Sequence, residues 1–298
     1  MSTETLDRPR SNRRTLTPLL FAAPALVIYL GFLVWPALQA LWISLTDWDG
    51  LSDDNSFVGL DNYLAMLDDN VVGIAAVNNI LWSVVTIVLP MALGLLLAVV
   101  LNRKSRTSPV LRTIFYAPAV LPLVAVASIW AWLYDPTDGA INTVLGAVGL
   151  DFLEQSWLGQ DSTAIWAVMI AAVWVRTGFP MLLYLAALQS IPDEQYEAAS
   201  MDGANRWQQF TRITFPSLKD THYIVLALSL IESFKVFDLV YAMTYGGPGY
   251  STQVMGTWMY ANVFQYFNAG YGTAIAVVIT IVAIAAGVPY VRSQVRNS

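Results

Sequence analysis

Six stretches of the chain are apolar over the length a helix needs to cross a bilayer, about 20 residues for a hydrocarbon core of about 30 Å. They run over about 18–45, 76–101, 109–134, 163–189, 221–243 and 272–291. Pro24, Pro36, Pro90, Pro118, Pro122 and Pro180 fall inside them. Membrane helices tolerate proline where neighbours re-satisfy the freed carbonyls, and such positions mark kinks. The pattern predicts an all-α integral membrane protein of six transmembrane helices. One membrane domain spans 18–292, behind a polar, Arg-rich tail over 1–17 that is expected to be disordered through residue 15. Span one is too long for the apolar core of a signal peptide, and no small-residue cleavage site follows it, so it reads as a retained helix.

Charge orients the six spans. Arg8, Arg10, Arg13, Arg14, Arg103, Lys104, Arg106, Arg112, Arg206, Arg212, Lys219, Arg292 and Arg296 all fall on one side of a six-fold crossing. The opposite connections, 46–75, 135–162 and 244–271, hold no Lys or Arg but twelve acids. Positive residues stay inside, so both termini are expected in the cytoplasm. Composition agrees. Charged residues are 12 % of the chain, about half the share of a soluble protein, too few to cover a soluble surface. The chain has no Cys and one His, His222, which excludes thiol chemistry, Cys metal sites and His-rich clusters. No metal site is expected, and no basic stripe suggests nucleic acid.

The connection between spans four and five is too long for a simple turn. Pro192, Asp193 and Glu194 start a helix: fixed φ, then negative charge on the positive end of the dipole. Gly203 permits the left-handed turn that ends it. Asn205 can cap a second short helix through Ile213, and Pro216 is expected to stop it before span five. Tyr196, Met201, Trp207 and Phe210 give the unit an apolar side. Two readings fit: a docking element for a cytosolic partner, or an interfacial helix lying on lipid.

This stretch resembles the EAA signature of ABC importer permease subunits. Glu197-Ala198-Ala199 is followed at the family spacing by Gly203 and by Ile213-Thr214-Phe215-Pro216, with Phe215 standing where the family has Leu. Further stretches narrow the resemblance: Phe57 to Tyr63, Gly139 with Asn142, Leu188 to Pro192, Phe237 to Tyr241 and Thr244 to Pro248. Together they resemble the sugar-importing permeases of maltose, glycerol-phosphate and trehalose type, over nearly the whole chain after its tail.

The resemblance implies that the 191–219 loop inserts into an ATP-binding subunit. Glu197, Ala198, Ala199, Asp202, Gly203, Ile213 and Pro216 would make that coupling surface. It implies a second permease subunit of different sequence, two ATP-binding subunits and an external sugar-binding protein on the outer loops. This chain would hold no cofactor and catalyse nothing itself, ATP and Mg belonging to the partner ATPase. It also implies a sugar pathway lined by Ala119 and Leu123 on span three, by Trp174, Thr177, Gly178 and Met181 on span four, and by Ser233 and Val236 on span five. Ala119, Leu123, Met181 and Val236 cannot bond hydroxyls, whereas Trp174 can stack on a pyranose face; ordinary helix packing is the competing reading of all eight.

Four charges lie within the spans: Arg176 in span four and Glu232, Lys235 and Asp238 in span five. At about 2.5–3.5 kcal/mol each at a helix centre they must face the bundle interior or a water-filled cavity, and pair. Along one continuous helix, Glu232–Lys235 and Lys235–Asp238 can each meet, and Arg176 and Glu232 share a depth. The network either locks spans four and five or lines a polar path. A stand-alone ion-coupled carrier would also use these charges but leaves the 191–219 loop unexplained. A membrane enzyme would need clustered carboxylates or His at an aqueous face, and adjacent acids such as Asp53-Asp54 lie in an outer loop with no basic companion.

Overall fold

The computed structural model describes residues 13–102 and 107–295. The first twelve residues, with Arg8, Arg10 and most of the tail, lie outside the described residues, as do Arg103, Lys104, Arg106 and Arg296. The described chain is helical apart from loops and one isolated bridge between Thr46 and Phe57. Among the described residues, four helices are long and apolar enough to cross a membrane: Phe21–Ile43, Asn70–Leu101, Ala164–Leu188 and Ala269–Gly287. Ser108–Val120 with Leu123–Leu133 would make a fifth crossing, bent by 102°.

Two expected continuous spans are broken. In the third, helix Ser108–Tyr116 tightens into a 3₁₀ turn over Ala117–Val120. Leu121 and Pro122 are then extended, because the ring of Pro122 drives the preceding residue out of the helical region. In the fifth, Lys219–Phe234 ends and Asp238–Thr244 begins after a non-helical stretch in which Phe237 has φ −156° and ψ −61°. Each break is seated on a glycine of a neighbour. A Cβ on Gly178 would lie 2.8 Å from the Phe115 carbonyl oxygen, and one on Gly256 would lie 2.6 Å from that of Val236.

Two other prolines are absorbed without a break. Pro36 follows the wide π-helical turn Leu30–Val34, and Pro216 follows Phe210–Thr214. A proline ring clashes with the carbonyl four residues back, and the widened turn removes that clash while the helix goes on. Pro216 therefore does not stop the second short helix: the turns run through Phe215–Ser217 into Lys219–Phe234, with Leu218 donating to Thr214 O at 3.2 Å.

Span four is the spine, with two thirds of its apolar window buried. Lipid gives apolar helices no reason to associate, so small residues that allow close packing decide the contacts. Ala164, Ala167, Ala171, Ala172 and Gly178 are buried there. Against span two, a Cβ on Gly94 would lie 2.8 Å from Pro180 Cβ. Span one is the opposite case: no residue from Phe21 to Ile43 is buried. Its outer end is tied down by Asn62, which donates to the carbonyls of Ser44 and Thr46, and by Tyr63 OH at 2.7 Å from Ser44 Oγ.

Candidate functional site

The 191–219 element, expected on the inner side, is built from local bonds. Helix Asp193–Met201 opens with Asp193 and Glu194 in its first turn. It ends where Gly203 takes φ +77°, a backbone state that costs a side-chain-bearing residue strain. Asn205 caps the next helix in a reciprocal box: its Oδ1 accepts from Gln208 N at 2.9 Å, and Gln208 Oε1 accepts from Asn205 N at 2.8 Å. Tyr196 OH meets Thr214 Oγ1 at 3.0 Å, and Gln209 Nε2 donates to Ser200 Oγ at 2.9 Å, so the two helices are bonded to each other. Glu197, Ala198, Asp202, Gly203 and Pro216 are exposed, while Ala199 and Ile213 are half-buried between the helices. The apolar tip is bare: Met201 is 85 % and Trp207 71 % exposed, the latter stacked on Phe210 at 5.8 Å.

A cavity of about 470 Å³ opens where both broken spans pass span four. Its walls include Thr86, Ala119, Leu121, Leu123, Arg176, Phe179, Leu228, Ser229 and Glu232. Arg176 Nη2 donates to the Glu232 carbonyl at 3.3 Å. Lys235 Nζ lies 3.7 Å from Glu232 Oε1, with both side chains exposed. Asp238 makes no ion pair among the described residues. The expected Lys235–Asp238 pairing needed one continuous helix, and the break at 235–237 removes it.

Of the eight pathway residues, Ala119 and Leu123 line this cavity. Trp174 is partly exposed and meets Trp130 edge-on at 5.9 Å. Thr177 is buried with its hydroxyl donating to Val173 O at 2.6 Å, and Ser233 is buried with its hydroxyl donating to Leu230 O at 2.8 Å. Met181 and Val236 are buried in the bundle, and Gly178 is the seat of the bend in span three. Within this chain those five do not face the cavity. His222 joins span four to the inner element: Nδ1 lies 2.9 Å from Tyr184 OH, and its ring packs 4.5 Å from Phe215.

Asp69, Asn78 and Asn79, which no motif flagged, tie the opening of span two to the connection 244–271. Asp69 caps span two by accepting from Val71 N at 2.8 Å, and its other oxygen accepts from Trp258 Nε1 at 2.9 Å and Tyr271 OH at 2.7 Å. Burial raises its pKa, but the hydrogen bonds from Tyr271, Trp258 and the Val71 and Val72 amides outweigh that and hold it below the ordinary carboxylate value. Asn78 Nδ2 donates to the carbonyls of Ser251 and Gln253, both at 2.8 Å, and Asn79 Oδ1 accepts from Met255 N at 2.8 Å. Asn142 of the Gly139 motif donates to Gln155 O at 3.0 Å and accepts from Trp157 Nε1 at 2.8 Å, closing the second outer loop. The available signal was an Asp immediately before an apolar run and two adjacent Asn in its early turns.

A multi-pass helical bundle with a cavity between broken spans and a bare apolar tip has the build of a membrane transport subunit. Residues 90–295 match the binding-protein-dependent transport system inner membrane component family, and the chain belongs to it. It is 39 % identical over 276 residues to a probable ABC transporter permease protein, YurN, of Bacillus subtilis, covering 92 % of this chain and 94 % of that one. It is 34 % identical over 276 residues to the trehalose/maltose transport system permease protein MalF of Thermococcus litoralis, covering 92 % of each. Its fold matches a chain of a bacterial alginate ABC transporter solved in complex with an alginate pentasaccharide-bound periplasmic protein, with TM-score 0.81, 25 % identity and 93 % of each chain covered. Members of this family are transporters rather than enzymes, and the chain is a multi-pass membrane protein.

Proposed function

We propose that this chain is the permease subunit of an ATP-driven ABC importer that moves a sugar, a disaccharide or related carbohydrate, across a bacterial cytoplasmic membrane by alternating access. The observation that carries the reading is the inner element: a helix–turn–helix with its own caps and cross-bonds, whose Met201 and Trp207 are left bare. Exposed apolar side chains on a rigid mount suit a protein partner. Two ATP-binding subunits, holding ATP and Mg, dock on 191–219. Closure of the ATPases then reaches the cavity through span five. The trehalose and maltose of the Thermococcus litoralis relative and the alginate of the solved importer support the substrate class.

In this reading both termini are cytoplasmic, and Ser108–Leu133 and Lys219–Thr244 supply the crossings that are not single long helices. A second permease, of different sequence, completes the membrane unit, and the bare face of span one is free to meet it or lipid. The outer loops receive a sugar-binding protein. The cavity at Ala119, Leu123, Arg176 and Glu232 is a stretch of the sugar path, with Trp174 as a stacking face. A stand-alone ion-coupled carrier is not favoured, because it gives the bare inner tip nothing to do. The deciding experiment replaces Glu197 and Gly203 together and measures ATPase association and sugar-stimulated hydrolysis. Both should be lost; undiminished binding and transport would refute the docking assignment. Trp174→Ala should lower uptake while the ATPase stays bound.

A further inference from the structure

Span five continues beyond its break as a row of aromatic rings. Phe237, Tyr241 and Tyr245 follow one another at the four-residue spacing that keeps side chains on one helical face, with centroids 5.0 and 4.9 Å apart. Helix Met255–Phe264 sets Tyr260 against this row, 5.4 Å from Phe237 and 4.9 Å from Tyr241, and extends it to Phe264 at 4.9 Å. The row starts beside the break that follows Glu232, a wall of the cavity, and ends in the open: Tyr245 is 69 % and Phe264 61 % exposed.

Three observations point to a ligand. First, Tyr245 sits at φ 54°, ψ 23°, a left-handed state that favours glycine, in a turn where Gly246 and Gly247 follow at once. A ring kept there at a backbone cost, with most of its surface bare, is not explained by packing. Second, the row is polar at its edges. The Tyr241 hydroxyl bonds to Tyr260 and Gln265, and Tyr245 adds a third hydroxyl. Third, residues 244–271 carry no charged side chain, so the exposed end of the row, at Tyr245 and Phe264, does not select by charge. Flat apolar faces flanked by hydroxyl and amide groups match a pyranose, which has a C–H face and a hydroxyl rim. Rings of a membrane belt have no need to touch one another in file.

We propose that these rings form an outer stacking ladder, a subsite for the pyranose faces of an oligosaccharide entering the permease. The assignment rests on the import reading above and adds to it a site distinct from the cavity. The test uses the complete importer in nanodiscs, with maltotriose as probe and glycerol as the ring-free control. Saturation-transfer NMR reads which sugar protons touch protein, and proteoliposome uptake reads transport. Tyr245→Gly deletes the ring and relieves the backbone. It should weaken maltotriose about tenfold, one stacked ring's worth, with no fall in melting temperature. Phe264→Ser should show the same weakening, and Tyr245→Trp should retain binding. A lower melting temperature or loss of a subunit in Tyr245→Gly assigns the ring to packing and overturns the ladder, as does unchanged binding in both deletion variants. If the wild-type importer takes up no sugar yet holds maltotriose through these rings, the import reading fails and the ladder stands.

Discussion

The connections 191–219 and 244–271, inner and outer in the proposed topology, are of similar length and are built in opposite ways. The inner one, 191–219, is held by bonds within itself, Asn205 to Gln208 and Tyr196 to Thr214, and leaves its largest apolar side chains bare. The outer one, 244–271, is held from elsewhere, by Asp69, Asn78 and Asn79 of the opening of span two, and buries Thr252, Gln253, Val254 and Trp258. The outer connection is therefore part of this chain's own core. The inner one is a module mounted on the bundle, with an apolar surface that this chain does not cover.

That contrast predicts a separation of phenotypes. The largest effect should come from Met201→Asp with Trp207→Asp: about 2–4 kcal/mol lost from ATPase association, as for central interface side chains, with an unchanged melting temperature. Binding titration and differential scanning calorimetry on the same preparation read both. A parallel fall in both would make the inner element part of the fold and erase the contrast. Asp69→Ala should do the reverse. Leaving Trp258 and Tyr271 without their acceptor should cost about 2–3 kcal/mol of stability and leave ATPase binding intact.

Asp69 also gives the outer cap an acid sensitivity with a defined sign. Its carboxyl lies below its unfolded value in the folded chain, so its contribution is full above the ordinary Asp range and is lost as pH falls through the lower folded value. Asp69→Asn should flatten the acid limb of a melting-temperature profile; an unaltered limb would assign that sensitivity to another group. A smaller effect is expected at the seat of the third span. Gly178→Ala places a methyl 2.8 Å from the Phe115 carbonyl and should cost about 1–3 kcal/mol, read as a lower melting temperature. Smallest is Asn205→Ala, about 1 kcal/mol for a lost cap, confined to faster amide exchange over 205–209.

The inner element was legible in the sequence because its signals are local. Asp193 and Glu194 at the start, Gly203 at the stop and Asn205 as the cap act on backbone within a few residues, and each takes that role. The breaks were not legible. Pro118 and Pro122 read as tolerated kinks, and nothing near Lys235 announces an interruption. Both breaks depend on glycines far along the chain, Gly178 and Gly256, whose missing Cβ admits a foreign carbonyl. The helix Met255–Phe264 was not legible for a related reason: the Asp69 and Asn79 side chains that hold it belong to another span. Of the cavity walls, Arg176 and Glu232 stood out as intramembrane charges. The eight pathway residues came from resemblance, and in this chain five of them face its own packing.

The widened turn before Pro216 has a mechanical consequence. A proline in a helix is ordinarily its point of least bending stiffness, where an applied torque dissipates. Here hydrogen-bonded turns run from the Asn205 cap past Pro216 to Phe234. After the one-residue turn at Leu218, the next interruption along that stretch is at 235–237, beside the Glu232 wall of the cavity. In the proposed importer, compliance would sit at the cavity rather than at the proline, and a push on Trp207 would be felt where a solute would be held.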